Sequence, residues 1–480
     1  MPGRPPTACG RGLTRRQLLC ASLGPLVGAY VVAEGVAAPV RPRGPAARLV
    51  PRLRACFVRR QGEYGIRWPG EVYDGEAALF GYTDRITQAA RRLGFALDVR
   101  PTPLYSSADA DAWITASREA GPDGLLVVLL DRQEHAWPTA DKAIATGIPT
   151  VIFSPIGTSF TTNTAAPSAR PGCFICSTDD FTQVEWGMKM LHAVARMRAA
   201  RCLVIQGNQR SEGSLGDLGI SLRTIPAADF VEEYQRTPAD AEIRRMASEL
   251  VRAATRCDEP SEGDILNGLR SYAVAQSLLA REHCDAITMD CLGALGPTDI
   301  SLPCIAWAEM NDHGIPAACE ADLGAVASHL IVQYLLDRPG FQQDPVAETV
   351  HDAIIGAHCS CPTRLAGFGA EPEPYDIVHH HGMRDATLRT VWKPGQRITC
   401  MDVLPGNSDQ PSQMLISSGE VLGNVAVPPA GGCRISVMAH FDGVQDVLAF
   451  PGFHQLFVYG DFKKELVQFC KLCGIKPVVV

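Results

Sequence analysis

The strongest constraint on the fold of this chain is a run of seven residues at 124–130, Gly-Leu-Leu-Val-Val-Leu-Leu. A continuous apolar run of this length is typical of a strand buried on both faces of a parallel sheet. Similar runs alternate with stretches of helical spacing: the runs cover 55–58, 95–99 and 149–153, and the helical stretches cover 77–93, 109–120 and 138–145. This order predicts a doubly wound, Rossmann-like α/β domain over residues 55–198.

The same pattern returns after residue 199. Strand-like runs are predicted at 201–206, 286–290 and 303–307, with another near Thr224, Ile225 and Phe230, and helices are predicted at 239–257, 266–283 and 321–336. These elements predict a second Rossmann-like α/β domain over residues 199–349. Ligands of open α/β sheets gather at the carboxyl ends of the strands, so the polar residues that follow these runs are candidates for a site.

From residue 350 the segments become short and separated by turns, which is typical of antiparallel strands. The chain closes with a strand at 456–459, a helix at 462–473 and an apolar end at 477–480. Residues 350–480 are therefore predicted to form a β-rich domain. The predicted fold class is α/β, with two Rossmann-like doubly wound domains followed by a C-terminal antiparallel β-rich domain.

The N-terminus differs from the rest of the chain. Arg15 and Arg16 precede a short apolar stretch and a set of small residues near 35–38, the order of a twin-arginine (Tat) export signal. We predict this signal over 1–40 and a linker over 41–54, and hence a periplasmic or other extracytoplasmic location. The alternative is a disordered basic extension on a cytoplasmic protein. The apolar stretch is short for a membrane span and is interrupted by Gly24 and Pro25.

Charge and cysteine content exclude some classes of protein. The formal net charge of the 480-residue chain is -8, which argues against a nucleic-acid or anionic-membrane partner. The 17 cysteines are an odd number and form no regular disulfide framework.

Residues suited to a hard divalent cation stand in the last third of the chain. Glu320 and Asp322 lie upstream of His358, and His454 comes shortly before the end. Carboxylates and an imidazole with open coordination positions suit such a cation. Asp322 is also placed to cap the helix that follows it, and both roles are compatible. The Cys-x-Cys at 359–361 lacks a second cysteine pair, so it is a weak zinc signal.

Several short segments resemble a known family. Pro-Cys-Ile-Ala at 303–306, the segment 311–322, His-Cys-Ser-Cys-Pro at 358–362 and the ending around His454 resemble the L-fucose isomerase/L-arabinose isomerase-like proteins. The resemblance is clear over 300–480 and only architectural before that.

The resemblance implies a metal-assisted aldose–ketose isomerase that acts on a pentose or deoxyhexose through an enediol, with Mn²⁺ as the expected cofactor. Transferred to this sequence, two metal ligands fall on Asp322 and His454. The remaining carboxylate falls on Glu309, or on Ala306 if the gap differs, in which case the chain lacks it. Glu309 and Asp322 would also be the catalytic carboxylates. The resemblance further implies a homo-oligomer, a trimer or hexamer.

A non-catalytic carbohydrate-binding protein on the same scaffold is the alternative function. The feature that distinguishes the two is whether Glu309 lies within ligand distance of Asp322 and His454. A dehydrogenase is disfavoured because no Gly-x-Gly-x-x-Gly follows a strand.

Overall fold

The computed structural model describes residues 44–62, 66–67, 71–72, 74–132, 134–380, 384–407, 409–428 and 432–480. The predicted export signal at 1–40 lies outside these residues. Within them, no helix is long and apolar enough to cross a membrane. The extracytoplasmic location and the oligomeric state stay predictions.

The chain begins with seven strands, of which five form a parallel sheet and two short ones form a separate hairpin. The strands are β1 (Arg52–Val58), β2 (Ile66–Arg67), β3 (Glu71–Val72), β4 (Ala96–Val99), β5 (Gly124–Leu129), β6 (Thr150–Ser154) and β7 (Cys173–Ser177). The helices are α1 (Pro45–Arg48), α2 (Gly75–Leu93), α3 (Ser107–Ala120), α4 (Ala136–Ile144), α5 (Thr161–Ser168) and α6 (Thr182–Ala199). The sheet order is β4-β1-β5-β6-β7.

The apolar run that opened the sequence analysis forms the buried centre of this sheet. Alternate residues of β5 belong to different cores: Leu126 and Val128 pack with α6, and Leu125 and Val127 pack with α3 and α4. Helices therefore cover both faces, as the unbroken apolar run requires.

The second sheet has four parallel strands and one antiparallel edge strand, in the order β12-β11-β8-β10-β9. The strands are β8 (Arg201–Ile205), β9 (Ser211–Leu215), β10 (Ile220–Ile225), β11 (Ala286–Met289) and β12 (Ala317–Cys319). The helices are α7 (Ala227–Arg236), α8 (Ala241–Ala253), α9 (Glu262–Glu282), α10 (Cys291–Leu295), α11 (Cys304–Asp312) and α12 (Leu323–Leu336).

Two strand predictions in this region differ from the structure, one over its whole length and one only at Phe230. Residues 303–307, predicted as a strand, begin the helix α11, and Phe230, predicted near a strand, lies in α7. All nine residues of α11 are buried. A short helix that is buried all round has no polar face, so its sequence cannot be told from that of a buried strand.

The last region contains a closed antiparallel barrel. Its strands are β13 (Phe341–Glu348), β14 (Ala353–His358), β17 (Arg397–Leu404), β18 (Gln413–Asn424), β19 (Ile435–Phe441) and β20 (Gln455–Tyr459). They are accompanied by the hairpin β15 (Tyr375–His380) and β16 (Arg384–Thr390), the helix α13 (Lys463–Cys473) and β21 (Lys476–Val479), which pairs with β18. The ring closes because β18 also pairs with β17. Phe341, Phe441, Phe457 and Trp392 fill its core.

The coarse prediction of the fold class is confirmed: parallel sheets flanked by helices are followed by an antiparallel β region. The domain boundaries stay predictions. The described part of the segment predicted as a linker, 41–54, contains α1 and the start of β1. The backbone N–H groups of Ala46 and Ala47 donate hydrogen bonds to Asp285, at 3.1 and 2.9 Å.

Candidate metal centre

Two acidic side chains are held on a strained turn between β12 and α12. Glu320 and Ala321 have φ angles of 63° and 54°, in the left-handed region that residues other than glycine rarely adopt. Asp322 then caps α12, because its Oδ1 accepts a hydrogen bond from Ala325 N at 2.8 Å. Strain of this kind costs about 1 kcal/mol or more per residue and collects at functional sites.

His454 faces this turn from the barrel. It stands just before β20, is 4% exposed, and also has a positive φ, of 55°. Its Nδ1 lies 2.9 Å from Asp322 Oδ2, and its Nε2 lies 3.2 Å from Asp344 Oδ1 and 3.5 Å from Glu320 Oε2. Burial lowers the pKa of His454, but the nearby carboxylates of Asp322, Asp344 and Glu320 outweigh it and raise the pKa to about 11.

The barrel pairing brings Asp344 to the same place. In the β13–β20 pair Gln343 lies opposite Gln455, so the next position along each strand sets Asp344 against His454. Gln343 Nε2 donates to Gln455 Oε1 at 2.8 Å below them, in the buried interior. The register of two barrel strands therefore fixes this contact.

His358, the last residue of β14, supplies a second imidazole. It is 2% exposed, and its ring centre lies 5.6 Å from that of His454. Its Nε2 is 3.9 Å from Glu320 Oε1 and its Nδ1 is 3.3 Å from Cys359 Sγ. One ligand atom each from Glu320, His358 and His454 lie within 4.8 Å of one another. We call Glu320, Asp322, Asp344, His358 and His454 the carboxylate–histidine centre.

The polar atoms of this centre fit a divalent cation. His454 Nε2 and Asp344 Oδ1 are buried and make no hydrogen bond of good geometry within the described residues, although they lie 3.2 Å apart. Two imidazole nitrogens and carboxylate oxygens form a donor set that binds zinc, iron and manganese with positions left open. Asp322 on Nδ1 is the carboxylate partner that metal-bound histidines usually have, and it directs Nε2 into the centre.

A further carboxyl group, that of Asp402, lies close to His454. Asp402 of β17 is 2% exposed, and its Oδ2 accepts a hydrogen bond from Phe453 N at 3.4 Å. Burial, aided by the charge of Asp322, raises the pKa of Asp402 to about 7. This carboxyl group therefore changes its protonation state near neutral pH.

Of the three residues predicted as metal ligands, the structure brings two together. Asp322 and His454 are in contact, but both Asp322 oxygens already have partners, the His454 ring and Ala325 N. Asp322 is therefore placed to orient the histidine. The side chain that shares a ligand group with His454 is Glu320, a carboxylate that the sequence suggests for a hard cation but that the family resemblance does not select as a ligand.

Glu309 lies in a different environment. It is 9% exposed on α11, and the charged groups that affect it are Asp312, Arg364 and Glu249. Burial, with the charge of Asp312, raises its pKa to about 8. Glu309 is in none of the groups of close metal-ligating atoms among the described residues. Its role as a ligand and base stays a prediction that this geometry does not favour.

Asp344 and Asp402 were not predicted as site residues from the sequence, and His358 was not among the predicted metal ligands. Asp344 carried no signal because it precedes Pro345 within an ordinary strand pattern, and its position depends on barrel register. His358 did carry a signal, since it ends the strand β14 beside the candidate carboxylates.

Comparisons with known proteins do not assign this chain to a family. No family model matches the chain, and no curated protein matches it. Among solved structures, one similar to this chain is described as the crystal structure of a sugar ABC transporter (sugar-binding protein) from Bacillus halodurans. It is 14% identical, and the match covers 62% of this chain and 91% of that one with a TM-score of 0.17.

The predicted membership of the L-fucose isomerase/L-arabinose isomerase-like family is therefore wrong, because no family model and no curated protein supports it. The residues that carried the resemblance have local structural roles. Asn311 Nδ2 donates to Trp307 O and Ala317 O, and Asp312 accepts hydrogen bonds from the backbone of Thr363 and Arg364. Such roles recur wherever a buried helix leads into a strand.

Proposed function

We propose that this protein binds a divalent cation at the carboxylate–histidine centre and uses it to bind a small carbohydrate. His454 Nε2 carries the proposal: it is buried, it is directed by Asp322, and it faces oxygen atoms without a well-formed hydrogen bond. Mn²⁺ is the first cation to test, since the donor set includes hard carboxylate oxygens. A divalent cation with open positions would bind neighbouring hydroxyl oxygens of a sugar.

The surroundings of the centre support a ligand of this kind. Glu320, Asp322 and Asp344 keep side-chain exposures of 34%, 30% and 32%, so part of each side chain is accessible. Phe453 is 59% exposed, and its ring centre lies 4.5 Å from that of His454. An exposed aromatic face beside polar groups suits a sugar, which has an apolar C–H face and hydroxyl groups at its edge.

The test measures cation and sugar binding in sequence. Chelator-treated protein is titrated with Mn²⁺ in a calorimeter and then, with Mn²⁺ present or absent, with a panel of pentoses and deoxyhexoses. Glu320→Gln should abolish Mn²⁺ binding and the Mn²⁺-dependent sugar heat. Glu420→Gln, at an exposed carboxylate of β18, is the matched control. Sugar binding that is equally strong without a cation, or no sugar binding at all, would refute the proposal.

A second candidate function is catalysis on the bound sugar, as an aldose–ketose isomerisation. Asp402 favours it, because a carboxyl group with a pKa of about 7 can take up and return a proton at neutral pH. In this candidate Asp402 would move the proton, and Glu320 and His454 would hold the cation that binds the sugar oxygens. Mn²⁺-dependent conversion of a sugar in the panel, lost in Asp402→Asn while sugar binding persists, would support catalysis over binding alone.

A further inference from the structure

A second group of potential ligands lies beneath the carboxylate–histidine centre, and it is built from sulfur. Cys319 is the last residue of β12 and Cys304 is the first residue of α11, and Cys359 follows β14. All three are buried, with exposures of 4%, 2% and 6%. They come from separate elements that meet at the carboxyl edge of the second sheet, so the tertiary fold alone brings them together.

Cys359 is the shared member of two close groups. Its sulfur lies within 4.8 Å of ligand atoms of Cys304 and His380 in one group, and of Cys319 and His358 in the other. All members are buried. We call Cys304, Cys319, Cys359 and His380, together with Nδ1 of His358, the thiol cluster.

The backbone around these sulfurs is fixed by polar contacts. Thr387 Oγ1 donates to Cys359 O at 2.6 Å, and Ser360 Oγ donates to Cys304 O at 2.8 Å. Cys319 N donates to Gln342 Oε1 at 2.9 Å. Positions held in this way satisfy the main requirement of a metal site, which is that ligands are placed before the ion arrives.

We propose that the thiol cluster binds a thiophilic d¹⁰ cation, Zn²⁺ or Cu⁺, with Cys304, Cys319 and Cys359 as sulfur ligands and a buried imidazole as nitrogen ligand. Zn–S bonds are about 2.3 Å long, so two sulfurs on one tetrahedral ion lie about 3.8 Å apart. Cys359 Sγ lies within 4.8 Å of the sulfurs of Cys304 and of Cys319, which belong to different groups, so a cation bound to Cys359 reaches each of the other two through side-chain movements. Thiolate and imidazole are the donors that these cations prefer.

The thiol cluster does not depend on the proposed carbohydrate function. Its sulfur ligands are softer donors than the carboxylates of the carboxylate–histidine centre. His358 has one ring nitrogen toward each site: Nδ1 toward Cys359 Sγ and Nε2 toward Glu320. The neighbouring Cys361 does not belong to the cluster, because it is in neither group of close ligand atoms and its thiol donates to Pro362 O at 3.3 Å. Cys361 is therefore a matched control, since it is a buried cysteine two residues from a ligand.

The test uses the whole chain and Co²⁺ as a spectroscopic probe for the site. Chelator-treated, reduced protein is titrated with Co²⁺ under anaerobic conditions, and thiolate-to-cobalt charge-transfer absorption is recorded. The band should appear in the wild type, in Cys361→Ser and in Glu320→Gln, and it should be lost in Cys304→Ser and in Cys319→Ser. Loss of Mn²⁺ binding in Glu320→Gln with the cobalt band retained would show that the two sites are distinct.

A second measurement needs no variant, which matters if a serine destabilises the core. Wild-type protein is loaded separately with Zn²⁺ or with Cu⁺, desalted, and treated with a mercurial thiol reagent while metal release is followed. Release that accompanies the reaction of buried thiols supports the site, and the better-retained cation identifies the ion. A cobalt spectrum without a charge-transfer band, or retention of neither cation after desalting, would overturn the proposal.

Discussion

The carboxylate–histidine centre and the thiol cluster share His358 but differ in access and in chemistry. The first has three partly exposed carboxylates around a buried imidazole, whereas the thiol cluster consists of buried residues only. A hard cation near solvent can exchange its open positions with a ligand, and a soft cation in a closed site can do little but hold the fold together. The comparison teaches that one edge of a sheet can supply a functional and a structural site, depending on which donors face solvent.

The largest of these effects is expected for Mn²⁺ affinity on substitution of His454, which belongs to the carboxylate–histidine centre and not to the thiol cluster. His454→Asn should lower Mn²⁺ affinity by at least about 100-fold, because a ligand is lost and the loss of a group that only orients a ligand can already reach that range. Asparagine tolerates the positive φ of this position, so the fold should persist. Calorimetry measures the loss. Unchanged Mn²⁺ binding would remove His454 from the centre, and loss of the cobalt band as well would mean that the two sites are one.

Asp322→Asn should have a smaller effect on the same measurement. Asparagine is as good a helix cap as aspartate, so the free energy of unfolding should change little. The carboxylate that holds His454 Nδ1 is lost, however, and Mn²⁺ affinity should fall by roughly 10- to 100-fold. If the free energy of unfolding and the free energy of Mn²⁺ binding fell by equal amounts, this would instead indicate that Asp322 serves only to cap α12.

Phe453→Ala should weaken sugar binding without affecting either metal. The exposed ring can add roughly 0.5–1.5 kcal/mol to contact with a ligand, as aromatic contacts do elsewhere, which is about tenfold in affinity or less. Titration of Mn²⁺-loaded protein with the best sugar of the panel measures this. Leu448→Ala is a suitable control, because Leu448 is an exposed apolar residue on the same stretch of chain, at 74% exposure.

Glu309→Gln should have the smallest effect on the sites and a distinct effect on stability. Glu309 is protonated in the folded protein at neutral pH, because its pKa rises from 4.5 to about 8. A raised folded-state pKa contributes stability that is lost as pH rises from about 4.5 through about 8. The variant should lose this part of the pH dependence in denaturant unfolding, and its Mn²⁺ affinity should match the wild type. Loss of Mn²⁺ binding would restore Glu309 as a ligand.

The sequence was sufficient for the coarse fold and for part of the site. The apolar run at 124–130 required a sheet covered on both faces, and the order of short and helical patterns required parallel sheets. Asp322 and His454 were identified from their chemical type and are in contact. The helix α11 was missed because complete burial erases helical periodicity, and the family resemblance failed because short turn motifs recur for structural reasons.

What the sequence determined by itself was local: which segments are strands or helices, and which side chains can bind a cation. Only the tertiary structure decided which donors meet. The register of β13 against β20 places Asp344 opposite His454, and a left-handed turn aims Glu320 at the same histidine. The sheet edge gathers cysteines that lie up to 55 residues apart in the chain, from Cys304 to Cys359. These contacts are long-range consequences of strand pairing and burial, and no local pattern records them.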